Sequence, residues 1–188
     1  MHDDVLRGRL LDRAAALVFD RGVDALNLRR LAADVGTSTS AVYSLFGNKA
    51  GLMDSLYLEA AGRFGERLAT VHPTDDPLVD IVRLGMAYRD YALGAPHLYA
   101  IMFARHDDES EVHLQGARTI EPLVDAVVRG QSAGLLKTVP PERIALSCWG
   151  VAHGLVSLEL VGTVPPGLDI AAGYESALRA MVDGWRSL

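Results

Sequence analysis

Residues Asn27 to Leu52 read NLRRLAADVGTSTSAVYSLFGNKAGL, and this stretch decides the fold. A short helix is predicted after Asn27, because apolar residues recur at three- and four-residue steps until Gly36 ends the pattern. The hydroxyl residues at 37–40 supply a second N-cap, and a helix of only two turns follows before Gly47. Two short helices joined by a tight glycine turn are typical of a helix-turn-helix.

The rest of the chain also has a helical period, and strand-like alternation is almost absent. Further helices are predicted over about residues 5–21, 49–71, 78–93, 112–132 and 170–185, in a short piece after Pro96, and between the prolines at 140–141 and 165–166. Pro122 is expected to kink the helix over 112–132. The sequence therefore predicts an all-α protein of about nine helices. An N-terminal three-helix helix-turn-helix domain covers residues 1–58, with its recognition helix at about 38–45, and a C-terminal helical bundle covers residues 59–188.

The composition indicates a globular protein, with 49% hydrophobic and 22% charged residues in 188. Cys148 is the single cysteine, so no internal disulfide forms, and its apolar surroundings favour a small buried hydrophobe over a sensor thiol. The first residues lack a signal-peptide pattern, and we expect a cytoplasmic protein.

The net charge of −6, taken alone, speaks against a nucleic-acid partner. Its distribution changes that interpretation. Residues 1–52 carry seven basic and six acidic side chains, whereas residues 53–188 carry eleven and eighteen. The acidic excess therefore belongs to the C-terminal part, and weak non-specific DNA affinity is expected of a head with a net charge of +1.

One apolar run, Ile144 to Gly162, is close to the length that spans a bilayer. It contains His153 and Glu159 and has no basic anchor at its C-terminal end, which favours a buried helix. No membrane partner is expected.

The second short helix must present a small, polar face to enter a DNA major groove. Ser38, Thr39, Ser40 and Ser44 are placed to face outward. Tyr43 and Lys49 lie at the ends of this face, where a phenol and an ammonium reach phosphates. Arg, Asn and Gln are missing from this helix, so specificity would depend on hydroxyl contacts, thymine methyl groups and DNA shape.

Residues 27–52 resemble the DNA-binding domain of the TetR family of transcriptional regulators. The matching positions, in order, are Leu31-Ala32, Val35-Gly36, Ser38, Val42-Tyr43, Phe46, Lys49 and Leu52. The resemblance implies phosphate contacts from Arg29, Tyr43 and Lys49 and base contacts from the recognition helix. The predicted DNA-binding set is Asn27, Arg29, Arg30, Ser38, Thr39, Ser40, Tyr43, Ser44 and Lys49. The chain departs from the family where Asn27 replaces Thr or Ser and Thr37 replaces Val.

Residues 91–103 and 149–155 resemble the C-terminal domain of a TetR subgroup named for a Trp-His-Gly signature, although three residues separate Trp149 from His153-Gly154 here. Aromatic and sulfur side chains are candidates for an apolar inducer pocket, with core packing as the alternative for each: Met86, Tyr88, Tyr91, Tyr99, Met102, Phe103, Trp149 and His153. The dimer interface that the family implies would use Gly150, Gly154, Tyr174, Leu178, Met181 and Trp185.

These features predict a homodimeric repressor that binds a pseudo-palindromic double-stranded DNA operator and is released by a small apolar or amphipathic molecule. Catalytic signatures and cofactor motifs were sought and are missing from the sequence, so no enzyme activity is expected. The His, Asp and Glu side chains at 106–113 lack a metal-ligand spacing, and a solvated loop is favoured over a metal site. Two alternatives stay open. One is an α-helical enzyme or ligand-binding module with a vestigial DNA-binding head, and the other is a regulator that acts as an activator or co-regulator without small-molecule control.

Overall fold

A computed structural model describes residues 2–103, 118–163, 165 and 167–187. Nine α-helices lie in these described residues, as the sequence predicts. They are α1 (His2–Arg21), α2 (Leu28–Val35), α3 (Thr39–Phe46), α4 (Lys49–Ala69), α5 (Pro77–Gly94), α6 (Pro96–Phe103), α7 (Glu121–Ser132), α8 (Pro141–Val161) and α9 (Ile170–Gly184). Short 3-10 turns cover Val23–Ala25 and Arg118–Ile120.

Local capping chemistry sets the bounds of the two short helices. The Asn27 side-chain oxygen accepts hydrogen bonds from the backbone N–H groups of Arg29 and Arg30, at 3.0 and 3.1 Å. Gly36 ends α2 in the left-handed conformation at φ 75°, which a side chain would strain. The Ser38 hydroxyl then accepts from the N–H of Ala41 at 3.1 Å. The predicted caps are confirmed, and the predicted helix-turn-helix follows from them.

The first compact unit comprises residues 1–63 and 95–117. Its core is aliphatic and fully buried, including Leu10, Leu31, Val42, Leu52 and Leu56. In the described part of residues 95–117, α6 packs on α1, and the rings of Phe19 and His97 meet edge-on at 4.5 Å. This unit is defined by its internal contacts and is not the same as the predicted domain of residues 1–58, whose boundary stays a prediction.

Polar contacts attach α1 to α2 within the same unit. The Arg13 guanidinium donates to the Asp34 carboxylate at 2.6 and 2.9 Å, and Arg9 donates to the Val35 carbonyl at 2.8 Å. Both contacts lie at the last turn of α2, beside the glycine corner. These contacts hold α2 against α1.

The second compact unit comprises residues 64–94 and 118–188. Here α5 packs against α7, α8 and α9. Asp80 is 2% exposed, and its carboxylate accepts from Thr74 and from the Arg129 guanidinium at 2.7 Å, joining the chain before α5 to α7. Burial alone would raise the pKa of this carboxyl group, but the hydrogen bonds from Arg129 and Thr74 bring it below its usual value.

One expectation from the sequence needs correction, and part of another falls outside the described residues. Pro122 does not kink a long helix, because it lies in the first turn of α7, where a missing N–H group costs nothing. Residues 112–117 of the predicted helix lie outside the described residues, as do the His, Asp and Glu side chains at 106–113.

The apolar run forms α8, which is long and apolar enough to cross a membrane by length and composition. One face is buried in the second unit through Ile144, Ala145, Cys148, Ala152 and Val156. The other face is exposed. The predicted buried helix is therefore correct for one side only, and the exposed side needs its own explanation.

Candidate nucleic-acid interface and effector cavity

A recess of about 380 Å³ in the first unit gathers four of the predicted DNA-binding residues. Asn27 and Arg29 come from the start of α2, Tyr43 from α3, and Lys49 from the start of α4. Backbone N–H groups and two cationic side chains at helix N-termini are the chemistry that binds a phosphate. Asn27 uses its side-chain oxygen as the α2 cap, so it positions this site rather than reading bases.

The outward face of α3 is small and hydroxyl-rich, as predicted. Ser40 and Ser44 are exposed, Thr39 is half-buried, and the Tyr43 side chain is 52% exposed. Val42 and Phe46 on the opposite face are buried in the unit. This arrangement gives the helix one face for packing and one for contact with a groove.

The cations of the first unit fall into two groups. Arg7, Arg9 and Arg13 contact Glu59, the Val35 carbonyl and Asp34 within the unit. Arg29, Arg30 and Lys49 make no ion pair with any of the residues that the structure describes. Arg21, in the last turn of α1, also lacks such an ion pair. Arg29, Arg30 and Lys49 lie around the recognition helix, which leaves their charge available there to a polyanion.

The second unit contains an apolar cavity of about 60 Å³. Side chains from five helices and the Arg118–Ile120 turn line it: Phe64, Leu68, Ile81, Leu84, Tyr88, Thr119, Ile120, Leu123, Cys148, Trp149, Ala152 and Leu178, together with Gly85. Charged side chains are missing from this described lining. The space is small, since one water occupies about 30 Å³ of liquid and an engineered cavity that holds benzene measures about 150 Å³.

A hydrogen-bonded cluster lies at one side of this cavity. The Tyr88 hydroxyl lies 2.9 Å from His153 Nδ1, and the Trp149 indole N–H donates to the same hydroxyl at 3.4 Å. Burial lowers the pKa of His153, which favours the neutral imidazole. Because an indole N–H only donates, Tyr88 accepts from Trp149, and the Nε2–H tautomer of His153 would accept the phenol proton.

The structure brings together only part of the predicted inducer set. Tyr88 and Trp149 line the cavity and His153 adjoins it through Tyr88, whereas Met86 and Tyr91 do not line it. The remaining three, Tyr99, Met102 and Phe103, belong to the first compact unit and also lie outside this lining. Sequence reasoning missed Leu178 and Gly85, which depend on how α5 meets α9.

Two predicted dimer residues face inward instead. Tyr174 and Leu178 are each 1% exposed, and the Tyr174 hydroxyl donates to the Gly85 carbonyl at 3.0 Å. They cannot contact a second copy through their side chains, so their assignment to a dimer interface is wrong. Met181 and Trp185 are half-buried, with Met181 Sδ 3.4 Å from Cys148 Sγ.

The exposed face of α8 carries residues that the sequence analysis passed over. Leu146, Leu158 and Val161 are 60, 51 and 73% exposed. Gly150 and Gly154 are exposed between them, and an added Cβ at either would meet nothing within 4 Å. The four-residue spacing from Leu146 to Leu158 was the available signal, since it places all four residues on one helix face.

A helix-turn-helix with a hydroxyl-rich recognition helix, in one chain with a helical unit that contains an apolar cavity, is the arrangement of a transcriptional regulator with a ligand-binding C-terminal domain. Two family profiles match the chain. Residues 10–56 match "Bacterial regulatory proteins, tetR family", and residues 81–181 match "Tetracyclin repressor-like, C-terminal domain". The second match spans more than half of the chain, so the chain belongs to the TetR family of transcriptional regulators. The predicted family is confirmed.

Solved structures share the fold of this chain. A protein of unknown function from Rhodococcus sp. RHA1 is 27% identical, with a TM-score of 0.84 over 97% of this chain and 96% of that one. A TetR family transcription regulator from Marinobacter aquaeolei VT8 is 21% identical, with a TM-score of 0.83 over 100% and 98%. AibR, solved with isovaleryl coenzyme A and operator DNA, is 18% identical, with a TM-score of 0.72 over 96% and 97%. No curated protein sequence matches the chain.

Proposed function

We propose that this chain is a homodimeric repressor that binds a pseudo-palindromic operator and is released when a small molecule enters the cavity of its second unit. The observation that carries the proposal is the position of the unpaired cations. Arg29 and Lys49 share a recess with Tyr43, beside the exposed face of α3. Phosphates on either side of a major groove would fix the helix there, while Thr39, Ser40 and Ser44 approach the base edges.

Dimerisation is proposed through the exposed apolar face of α8, which is defined here as Leu146, Gly150, Gly154, Leu158 and Val161. Exposed leucines with glycines between them allow two helices to approach closely and bury apolar surface. Met181 and Trp185 stay candidates for this interface, because each is only half-buried and leaves surface that a second copy can contact. Two recognition helices must then lie one DNA turn apart, about 34–36 Å, to engage a pseudo-palindrome.

Release by a small molecule is proposed from the cavity and from relatives. AibR was solved with both isovaleryl coenzyme A and operator DNA. By analogy, the recess beside α3 of this chain would bind DNA, and the cavity of the second unit would bind the ligand. A ligand acts as a switch only if it binds the DNA-free state more tightly, typically by about 1–3 kcal/mol of coupling. We also propose membership of the Trp-His-Gly subgroup, which is supported by the hydrogen bonds that join Trp149 and His153 to Tyr88.

DNA binding is tested by selecting fragments of the source genome with the purified protein and titrating the bound fragments with salt. We expect a palindromic site whose affinity falls steeply with salt and exceeds that of unrelated DNA. Absence of sequence preference at low salt would refute the regulator and favour a ligand-binding module with a vestigial head. Repression is separated from activation by a reporter gene placed behind the selected site.

The interface is tested by sedimentation of Gly154→Leu. We expect the dimer to dissociate, because a leucine separates two closely packed helices. Gly62→Leu on α4 is the matched control, since Gly62 is also helical, exposed and open to an added Cβ but lies in the first unit, away from α8 in the second. A dimer that survives Gly154→Leu would refute this interface.

A further inference from the structure

We infer that the cavity selects an uncharged ligand that has an apolar body and one oxygen, and that this oxygen is bound by the Tyr88 hydroxyl and the Trp149 indole N–H. The inference rests on the proposed function only in that the second unit is taken to bind the effector. It adds the chemical class of that effector and the residues that select it.

The lining argues for the apolar body. Most of its side chains are aliphatic or aromatic, and a ligand there gains roughly 25 cal/mol for each Å² of apolar surface removed from water. The polar atoms come from Tyr88, Trp149, Thr119 and Cys148. Burial raises the pKa of the Cys148 thiol to about 12, so it is not a thiolate and brings no charge to the cavity.

The arginine next to Tyr88 is already paired, which argues against an anionic ligand. Arg89 follows Tyr88 on α5, but its guanidinium makes two hydrogen bonds, of 2.6 and 2.8 Å, to the Glu159 carboxylate. It also lies over the Tyr174 ring at 5.6 Å. Among the described lining residues, a carboxylate or phosphate would therefore find no cationic partner and would be desolvated at a cost.

The polar cluster argues for one oxygen on the ligand. The bond from the Trp149 indole to Tyr88 is long at 3.4 Å, beyond the range of a strong N–H···O bond, while the bond from Tyr88 to His153 is 2.9 Å. A ligand hydroxyl accepts the indole proton and donates its own proton to the Tyr88 oxygen, so Tyr88 keeps its donated bond to His153. A carbonyl oxygen could make only the first of these two bonds, so the cavity favours a hydroxyl. The ligand is thereby tied to Tyr88 and Trp149, and His153 fixes the direction of the phenol.

Leu178 supplies the space that the ligand requires. Its Cδ1 atom would lie 2.6 Å from a Cβ added at Gly85, so it fills the gap that the missing side chain leaves. A benzene-sized body needs more than the present 60 Å³, so the inference requires Leu178 to move when the ligand enters.

The test uses three probes of similar size: phenol, toluene and benzoate. Titrations are followed on the full-length protein by the ¹⁵N–¹H signals of the two indoles, Trp149 and Trp185, assigned with Trp185→Phe. We expect phenol to shift the Trp149 signal and toluene to bind with a smaller shift. Benzoate should bind at least about tenfold more weakly than phenol.

Two variants separate recognition from packing. Tyr88→Phe should reduce the ratio of phenol to toluene affinity by about two- to tenfold, the effect of one neutral hydrogen bond. Tyr91→Phe is the matched control, because Tyr91 is a buried tyrosine of the same helix outside the cavity lining, and it should leave the ratio unchanged.

An unchanged ratio in Tyr88→Phe, or benzoate affinity equal to that of phenol, would overturn the inference. So would binding of none of the probes to the folded wild-type protein. Operator binding without any probe is measured in parallel and tests the proposed function alone. Tyr88-dependent phenol binding in a protein that recognises no operator would support the cavity assignment and refute the regulator.

Discussion

Replacing Lys49 with alanine should weaken binding to every DNA sequence by a similar factor and make the salt dependence shallower. Lys49 lies in the recess with Arg29 and Tyr43 and makes no ion pair with the described residues, so its charge is available to a phosphate. Each neutralised phosphate contributes about −0.9 to the slope of log K against log salt. A homodimer loses two such contacts, and the slope should change by about 2.

Fluorescence anisotropy with a selected operator and with an unrelated duplex, over a range of salt concentrations, measures both slopes. Lys137→Ala is the matched control, because Lys137 is the other lysine of the chain and lies in the second unit. It changes the net charge equally and should leave the slope unaltered. An unchanged slope in Lys49→Ala, or a loss confined to one base position, would show that Lys49 does not contact a phosphate.

Three further predictions concern stability and reactivity. Gly51→Ala should lower the free energy of unfolding by about 1–3 kcal/mol, because the added Cβ overlaps the backbone carbonyl of Phe46, the last residue of α3. Gly62→Ala on the same helix is the control, because its Cβ meets open space, and it should raise the free energy of unfolding by up to about 1 kcal/mol. Arg129→Ala should cost about 1–3 kcal/mol in urea unfolding by removing a charged hydrogen bond from Asp80. Since the pKa of the Asp80 carboxyl is lowered by folding, this stabilisation is complete above its unfolded pKa and lost as the pH falls through the folded value, and a cost independent of pH would contradict the assignment. Cys148 should react with iodoacetamide at neutral pH far more slowly in the folded protein than after denaturation, because its thiol is buried and its pKa is raised to about 12.

Local features of the fold could be predicted from the sequence, and pairings between distant residues could not. Asn27, Gly36 and Ser38 act on backbone groups two to four residues away, so their meaning is visible in the sequence itself. The contact between Tyr88 and His153 spans 65 residues and depends on the rotation of α5 and α8. Helical periodicity shows that a helix has an apolar face but does not identify the neighbour that covers it.

Helices α9 and α7 show the same limit in another form. Tyr174 and Leu178 have the spacing of an interface stripe, and they do form one, but against α5 of their own chain. Pro122 fits either the first turn of a helix or a kink within one, and only the start of α7 distinguishes the two. A stripe that is correct as a packing face can thus be assigned to the wrong partner.

The acidic net charge of −6 is compatible with DNA binding because paired and unpaired cations contribute differently. In the second unit, carboxylates of the same chain form ion pairs with five arginines, which offsets their charge: Arg67, Arg89, Arg129, Arg179 and Arg186. In the first unit Arg29, Arg30 and Lys49 would contribute a salt slope of about −3 for one head and about −5 for two. A fourfold rise in salt then weakens one head by roughly fortyfold and a dimer by roughly a thousandfold or more. So few contacts bind weakly alone, and joining two heads makes the second contact intramolecular. In the proposed dimer, operator affinity would therefore depend on the exposed face of α8 as well as on the recognition helix.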